Sequence, residues 1–522
     1  MYLKLSLHFM KKNIFGFTVI ALISILSFNS CKKDQILDDS NATLVFSEDT
    51  IKFDTVFTSV GSATQVFTVR NTYNQALRIS SLNLAGGSGS NYRLNVNGTP
   101  GKYFSDVEIG ANDSIWIFVE VTVDPNNFNT PLIVEDAIIF NTNGHVQNLP
   151  LTAYGQDAHF YPSSNCGEQK SRCTPLFKLK DCSGTSNSLH WINDKPYVID
   201  GYAILDSGYT LTVDPGVRIH FNTNSGLIVL NTAKLIVNGT LADPVTFQGA
   251  RLGEAFKDIP GQWDRIWFST ITSIDLSVCP INDGIVTGKG PSGNIINYSI
   301  IKNGYVGIQS DSLVPSVLPA ITINNTILKN FASTAFYGQG SSVAANNCVF
   351  ANSGEYLGAL YYGGAYSFLH CTFANYWSNS NRTTPSLYFQ NYYNTIRPLN
   401  AYFGNCIIYG NQDNEVALDS FPVTGHPEYF DFKFDHTLFK MDNETFGSGG
   451  SHYPGSIRNS DPRFKNIDIN YYKIDSTSIA VNLGLQSITD TNPTVLGTDI
   501  EGKTRPAAGT SPDAGAYEDD NQ

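Results

Sequence analysis

Three cysteines recur in one setting. They stand in "NNCVFANSG" (Asn346–Gly354), "LHCTFANYW" (Leu369–Trp377) and "GNCIIYGNQ" (Gly404–Gln412), each before a largely apolar pair, with an Asn soon after. A thiol does chemistry as a nucleophile beside a base, as a metal ligand, or as half of a disulfide. His370 is the immediate neighbour of Cys371. Neighbouring residues of a strand point to opposite faces. If Cys371 faces inward, His370 faces outward, and the two cannot form a dyad.

Alignment of the repeats places the three thiols in one column: Ser299, Thr326, Cys348, Cys371, Cys406, Thr437. The column takes small, β-compatible residues, which a tight core wants. Packing is therefore the preferred role of Cys348, Cys371 and Cys406. A disulfide between stacked neighbours is the alternative, and a metal or nucleophilic role is the least favoured. A second column holds Asn303, Asn330, Asn352 and Asn375, with Asn411 one place late. Asn tolerates left-handed turns, and stacked amides can bond to one another as a ladder.

Hydrolysis of a glycosidic bond needs paired carboxylates. Asp311, Glu355, Asp413, Glu415 and Asp419 are scattered and expected mostly in loops; "TGHPEYFD" (Thr424–Asp431) has a His and acids but no partner motif. Arg382 and Arg397 read as solvated loop residues or carboxylate partners. No catalytic set, resident metal or cofactor is expected. Aromatic side chains remain: Tyr361, Tyr362, Tyr366, Trp377, Tyr388, Tyr392 and Tyr393, with His370 among them. Exposed beside Asn and Gln, such rings suit stacking on sugars. The alternative is cross-strand pairing that only stabilises the coil.

The elements that must position these residues are β-strands. The chain has 522 residues, 15% charged, with 44 Gly, 27 Tyr and 32 Phe. Short apolar runs alternate with Ser, Thr, Asn and Gly, and long amphipathic helices are absent from the pattern. The repeated units begin 27, 22, 23, 35 and 31 residues apart. That is one solenoid coil per unit, with insertions in loops. From Thr43 to Asp157 the strands instead alternate in and out, as in Ile115–Val123, and a hairpin turn is expected at Asn143–Gly144. About seven strands there suggest an immunoglobulin-like sandwich.

The N-terminus reads as an export signal: Lys11 and Lys12, an apolar run Ile14–Phe28, then Cys31. "SFNSC" resembles the loose lipobox of Bacteroidota lipoproteins, which implies lipidation of Cys31 and an outer-membrane anchor. Ordinary signal-peptide cleavage is the alternative. Loss of residues 1–30 removes Lys4, Lys11 and Lys12 and takes the formal charge of −13 to −16. No basic stripe is left for nucleic acid. Two lysines follow Cys31, so periplasmic and surface exposure both stay open. Cys166, Cys173 and Cys182 lie in a polar linker where a disulfide is favoured over zinc; their pairing, and that of Cys279, stays open.

Residues 43–157 ("FDTVF", "VRNTYNQALRI", "LTAYG") resemble Hydin/ASPM-type immunoglobulin-like domains, which serve as spacers or interaction modules. "YTLTVDPGVRIHF", "KLIVNGTLADPVTFQG" and "PGQWDRIWFS" resemble right-handed parallel β-helices of the pectate-lyase-like superfamily. "SDPRF" and "PDAGAYE" resemble the closing segment that caps such solenoids, with Asp499, Arg505, Asp513 and Glu518 as structural residues. The family includes polysaccharide lyases and glycoside hydrolases, but their catalytic motifs are missing here. The expected organisation is signal peptide 1–30, tether 31–42, immunoglobulin-like sandwich 43–157, linker 158–188, right-handed parallel β-helix 189–460 and capping segment 461–522. The expected role is a non-catalytic module binding a polysaccharide or a cell-surface protein. A β-helix lyase or hydrolase is the runner-up, and a structural adhesion protein of the envelope is the third reading.

Overall fold

A computed structural model describes residues 36–58, 61–62, 64–123, 132–162, 176–180, 186–254, 256–274, 276, 289–313, 318–392, 395–421, 424, 426–442, 451–506 and 511–519. The export signal, Cys31, the start of the tether, Cys166, Cys173, Cys182, Cys279 and Tyr393 lie outside them. The chain divides into two compact units at Gly155/Gln156.

The first unit is a sandwich of two five-stranded sheets. Its strands are antiparallel, as in Gln65–Arg70 against Ser114–Val121. Alternation does the sorting. Ile115, Ile117, Val119 and Val121 are buried, while Trp116 and Phe118 face solvent. Phe67 and Val69 meet them from the neighbouring strand inside the core. The hairpin turns at Asn143 (φ 51°) and Gly144 (φ 85°), a pair suited to the type I′ geometry.

The second unit is a parallel β-helix. Among the described residues three long sheets take every third strand as far as Leu438–Phe439, and the next strand, Ile457–Arg458, adds to the first of them. Sheet I has eleven strands, from His159–Tyr161 to Ile457–Arg458; sheet II has nine, from Leu176–Lys178 to Val416–Asp419; sheet III has nine, from Ser188–Trp191 to Phe430–Asp435. The solenoid begins earlier than the sequence suggests. His159–Tyr161 pairs with Tyr197–Ile199, and Leu176–Lys178 with Tyr202–Leu205. These starting strands are three residues each, too short to show a period, so the region reads as linker.

Like residues stack on like inside the coils. Phe350 lies over Phe373 at 4.6 Å and 4°, and Phe368 over Phe403 at 4.8 Å and 15°. Those separations match the distance between neighbouring strands. The last coils are closed by Tyr453, which stacks on Phe434 and Phe439, and by His452 on Phe432.

The closing segment does not sit at the end of the solenoid as expected. It runs along the flank as a strap. Tyr472, Ile500, Ala516 and Tyr517 pack on Val349, Ala351 and Ala374, the outward residues of sheet I. Ile474, Ala480 and Ala514 pack on Ile407 and Leu438. Sheet I carries apolar residues on both faces, and the strap covers the outer one. Arg505 and Glu518 are fully buried beneath it as an ion pair.

Candidate functional site

Between sheets III and I the chain turns on one left-handed residue per coil: Asn325 (φ 50°), Asn347 (52°), His370 (50°), Asn405 (53°) and His436 (48°). His370 is therefore a corner residue and not an outward strand residue. It is fully buried, bonded through Nε2 to Thr489 Oγ1 (2.9 Å) and accepting from Asn405 Nδ2 (2.9 Å). Burial, and then the Arg505 guanidinium, hold its pKa well below the usual imidazole value. Neutral and covered by the strap, it is placed for structure and not for ligand contact.

The thiol column lies one residue beyond that corner. Cys348, Cys371 and Cys406 are free and fully buried. Each Sγ points at the carbonyl two residues back: Asn346 O (3.2 Å), Leu369 O (3.4 Å) and Gly404 O (3.3 Å). Ser299, Thr326 and Thr437 make the same bond with hydroxyls. Burial pushes the Cys348 and Cys371 thiols far up, away from the thiolate.

The asparagine ladder occupies a different column from the one expected. Asn324 Nδ2 donates to Asn297 Oδ1 (2.8 Å), Asn346 to Asn324 (2.9 Å), and Asn347 to Asn325 (3.1 Å). The column Asn303, Asn330, Asn352, Asn375 sits at the corner after sheet I, where φ is 65°, 61° and 49° for the first three. Its amides bind the segments that pass that corner. Asn303 bonds to Lys257 O, Asn330 to Asp258 and Asn352 to Asn470 of the strap, while Asn375 Oδ1 accepts from the Ser353 amide. Asn352 Oδ1 accepts in turn from the Tyr376 amide, so side chains here bond to neighbouring backbone and passing segments and not to one another.

Two further expected binders are interior. Tyr366 is 2% exposed, donating to Gly363 O and accepting from the Ser341 amide. Trp377 is 6% exposed with Nε1 on Ser380 Oγ. Close to it, Arg382 and Glu415 form an ion pair with no exposed side-chain area. Arg382 is thus a carboxylate partner and not a solvated loop residue.

The remaining aromatics gather on the outer face of sheet II. Register defines two adjacent columns. One runs Trp267, Gln309, Tyr337, Ala359, Tyr388, Ala417. The other, two residues on, runs Asp311, Gln339, Tyr361, then Gln390 and Asp419 on later strands. The tyrosines alternate between columns. Tyr337 and Tyr361 lie 5.2 Å apart, and Tyr361 and Tyr388 5.1 Å, tilted by about 45° in both cases. An amide sits two residues beyond each outer member, Gln339 beyond Tyr337 and Gln390 beyond Tyr388, and Ala359 lies beside Tyr361. The three rings are half-buried. Tyr362 adjoins Tyr361 at 6.0 Å, and Tyr392 reaches the strip through Asp419.

Each end of this strip holds a carboxylate. At one end Asp311, 1% exposed, accepts from Trp267 Nε1 (2.6 Å) and Gln309 Nε2 (3.1 Å). Burial pushes its pKa up to about 6 against these bonds and the Arg265 charge. At the other end Asp419 accepts from Tyr388 Oη (2.5 Å) and Tyr392 Oη (3.0 Å). Burial and then Asp419 raise the Tyr388 phenol; the Asp419 hydrogen bond raises Tyr392. Both phenols stay protonated donors at neutral pH.

Asp311 and Asp419 end strands and do not fall in loops as expected. They are four rungs apart, about 19 Å at strand spacing, and paired glycosidase carboxylates stand about 5–10 Å apart. Asp264 and Glu355 lie just before their strands, five and six register positions from the level of Asp311, roughly 15–20 Å along the chain direction. Among the described residues no group of three His, Cys, Asp or Glu side chains could hold a metal ion.

Trp267, Gln309 and Tyr337 are not among the sequence candidates, and Asp311 and Asp419 appear there only as scattered acids. The signal exists in the second strand of each coil: "IWF", "GIQSD", "FYGQ", "ALY", "LYFQ" and "VALD" align as the first strands do. The stretch between the first and second strands varies, from two residues before Thr334 to eleven before Leu387, and that variation hides the phase.

No family model matches the chain, and no curated protein does. Solved structures match only slightly. A family 123 glycoside hydrolase from Clostridium perfringens aligns at 9% identity and TM-score 0.16, over 22% of this chain and 25% of that one. The VesB protease of Vibrio cholerae aligns at 13% identity and TM-score 0.15, over 22% and 31%. Likenesses of this size bear on neither fold nor function.

Proposed function

We propose that the protein is an envelope lipoprotein, anchored through Cys31, whose β-helix binds polysaccharide along the outer face of sheet II without cleaving it. The observation that carries this reading is the staggered row Tyr337, Tyr361, Tyr388 with amides at Gln339 and Gln390. Half-exposed rings present flat apolar faces, and the amides beside them match ring hydroxyls. The accessible row runs from Tyr337 to Asp419, three strand spacings, on the order of 14 Å, room for about three sugars. The immunoglobulin-like unit would act as a spacer above the membrane.

One observation favours an enzyme instead: Asp311, desolvated and poised near neutrality, has the character of a general acid. Among the described residues no second carboxylate lies within reach of Asp311, which favours binding. The test is a glycan array with wild type, Tyr361→Ala and Tyr388→Ala, with reducing-sugar and unsaturated-product assays on each bound glycan. The expected result is retention without product, and a loss of about tenfold for each variant, equal to about 1.4 kcal/mol of stacking. Product formation abolished by Asp311→Asn would establish the enzyme. Unchanged retention by both variants would remove this face as the site.

A further inference from the structure

The outer face of sheet II also carries information about the charge of its ligand. We infer that the strip accepts uncharged polysaccharides and discriminates against polyuronates and sulfated glycans. This rests on the glycan-binding reading above and narrows its ligand class.

The two fixed ends are carboxylates, Asp311 and Asp419. Between them the polar groups are amides and phenols, which bond to hydroxyls and supply no positive charge. Recognition of a carboxylate or sulfate calls for an unspent guanidinium or ammonium, best placed as a two-pronged donor. Among the described residues, the guanidiniums bordering the strip, Arg265 and Arg397, each already hold a protein acceptor. Arg265 Nε bonds to Asp264 Oδ1 (2.9 Å), and its Nη1 bonds to Gln309 Oε1 (2.5 Å). Arg397 Nη1 bonds to Leu313 O (2.7 Å). A uronate chain laid on the rings would bring a negative charge to each sugar beside Asp419, while the Arg265 charge is already paired with Asp264. The formal charge of −13 adds long-range repulsion of a polyanion. Tyr388 and Tyr392 direct their hydroxyls into Asp419. The carboxylate is thereby held at the end of the row, where it can accept from sugar hydroxyls and repel an acid.

The experiment is affinity electrophoresis of the full chain in gels containing galactomannan, mixed-linkage glucan, polygalacturonate or a sulfated galactan, at low and at 0.5 M salt. The expected result is retardation by at least one neutral polymer, changed less than twofold by salt and reduced about tenfold by Tyr361→Ala. Polygalacturonate and the sulfated galactan are expected to retard at least tenfold less. Binding of an acidic polymer as tight as any neutral one, weakened by salt and by Tyr361→Ala, overturns the charge selectivity and leaves the glycan site standing. Binding of a neutral polymer that Tyr361→Ala does not weaken removes the strip as its basis. Failure of all four polymers to bind overturns the glycan reading, and this inference with it.

Discussion

Replacement of Glu415 by Gln tests the energetics of the coil that carries the end of the tyrosine row. The Glu415 carboxylate accepts from Arg382 Nη1 (2.9 Å), Arg382 Nη2 (2.7 Å), the Ser386 amide (3.0 Å), Ser386 Oγ (2.5 Å) and the Gln412 amide (2.8 Å). Every bond is made without solvent, since neither ionic side chain has exposed area. Gln keeps the volume, so no cavity opens. It leaves the Arg382 charge unmatched and turns an NH₂ group toward donors. Loss of one partner of a buried pair costs about 3–5 kcal/mol. At about 4 kcal/mol, local opening becomes roughly 10³-fold more frequent.

Hydrogen exchange followed by mass spectrometry reads this directly. Protection should fall at Thr372–Asn375 and Val416–Asp419, which flank the pair, and hold at the remote strand Thr210–Val213, because coils of a solenoid couple mainly to neighbours. Salt should not mimic the substitution, since a dry pair is little screened. Arg382→Met combined with Glu415→Leu should restore most of the protection, as apolar replacement of a whole buried pair is close to neutral. A change of less than tenfold for Glu415→Gln, or a double variant as weak as the single, would refute the reasoning.

Asp311 gives a pH prediction with a definite sign. Its folded pKa, about 6, lies above the unfolded carboxylate value near 3.9. Protonation therefore favours the folded state, and the benefit is complete below pH 4 and lost as pH rises through 6. Two pKa units correspond to about 3 kcal/mol. Asp311→Asn should raise the urea midpoint of the β-helix relative to wild type at pH 7.5, and the gap should close at pH 4; a gap independent of pH would place the effect elsewhere. For the thiols, peptide-resolved alkylation at pH 8 should leave Cys348, Cys371 and Cys406 unmodified until urea is added. Cys371→Ser should change stability by less than about 1 kcal/mol, because a hydroxyl there can take the same carbonyl bond that Ser299 takes. Rapid native alkylation of Cys371 would contradict its burial.

The coil architecture was legible because apolar spacing and β-helix phrases recur in the chain, and the thiol column resolved as a rung of the core. The outward assignments failed for a local reason. Strand alternation was extended through His370, but that residue occupies the left-handed corner, where the backbone turns the side chain under the strap. Nothing in "LHCTF" marks the corner; only the Asn at equivalent places in neighbouring coils does. Tyr366 and Trp377 look like surface aromatics by composition. They are interior because Gly364 and Gly338 leave room for the Tyr366 ring, and because Trp377 enters the insertion that shields Arg382. The strip on sheet II was only half found, through Tyr361, Tyr362, Tyr388 and Tyr392, because variable insertions shift the second strand of each coil out of phase with the first.

The strap also imposes an order of events. Residues beyond Ser460 leave the ribosome after the coils, yet Val495, Thr498 and Leu485 hold the corners at Asn347 and Asn405 more than 70 residues behind them. Until they arrive, the middle coils can stack but keep a sticky flank of Val349, Ala351, Ile407 and Leu438. Contacts this distant in sequence slow folding and prolong the life of aggregation-prone intermediates. The strap thus acts as a clock: coil formation can run ahead of it, but the middle of the solenoid becomes safe from self-association only when the strap is laid down.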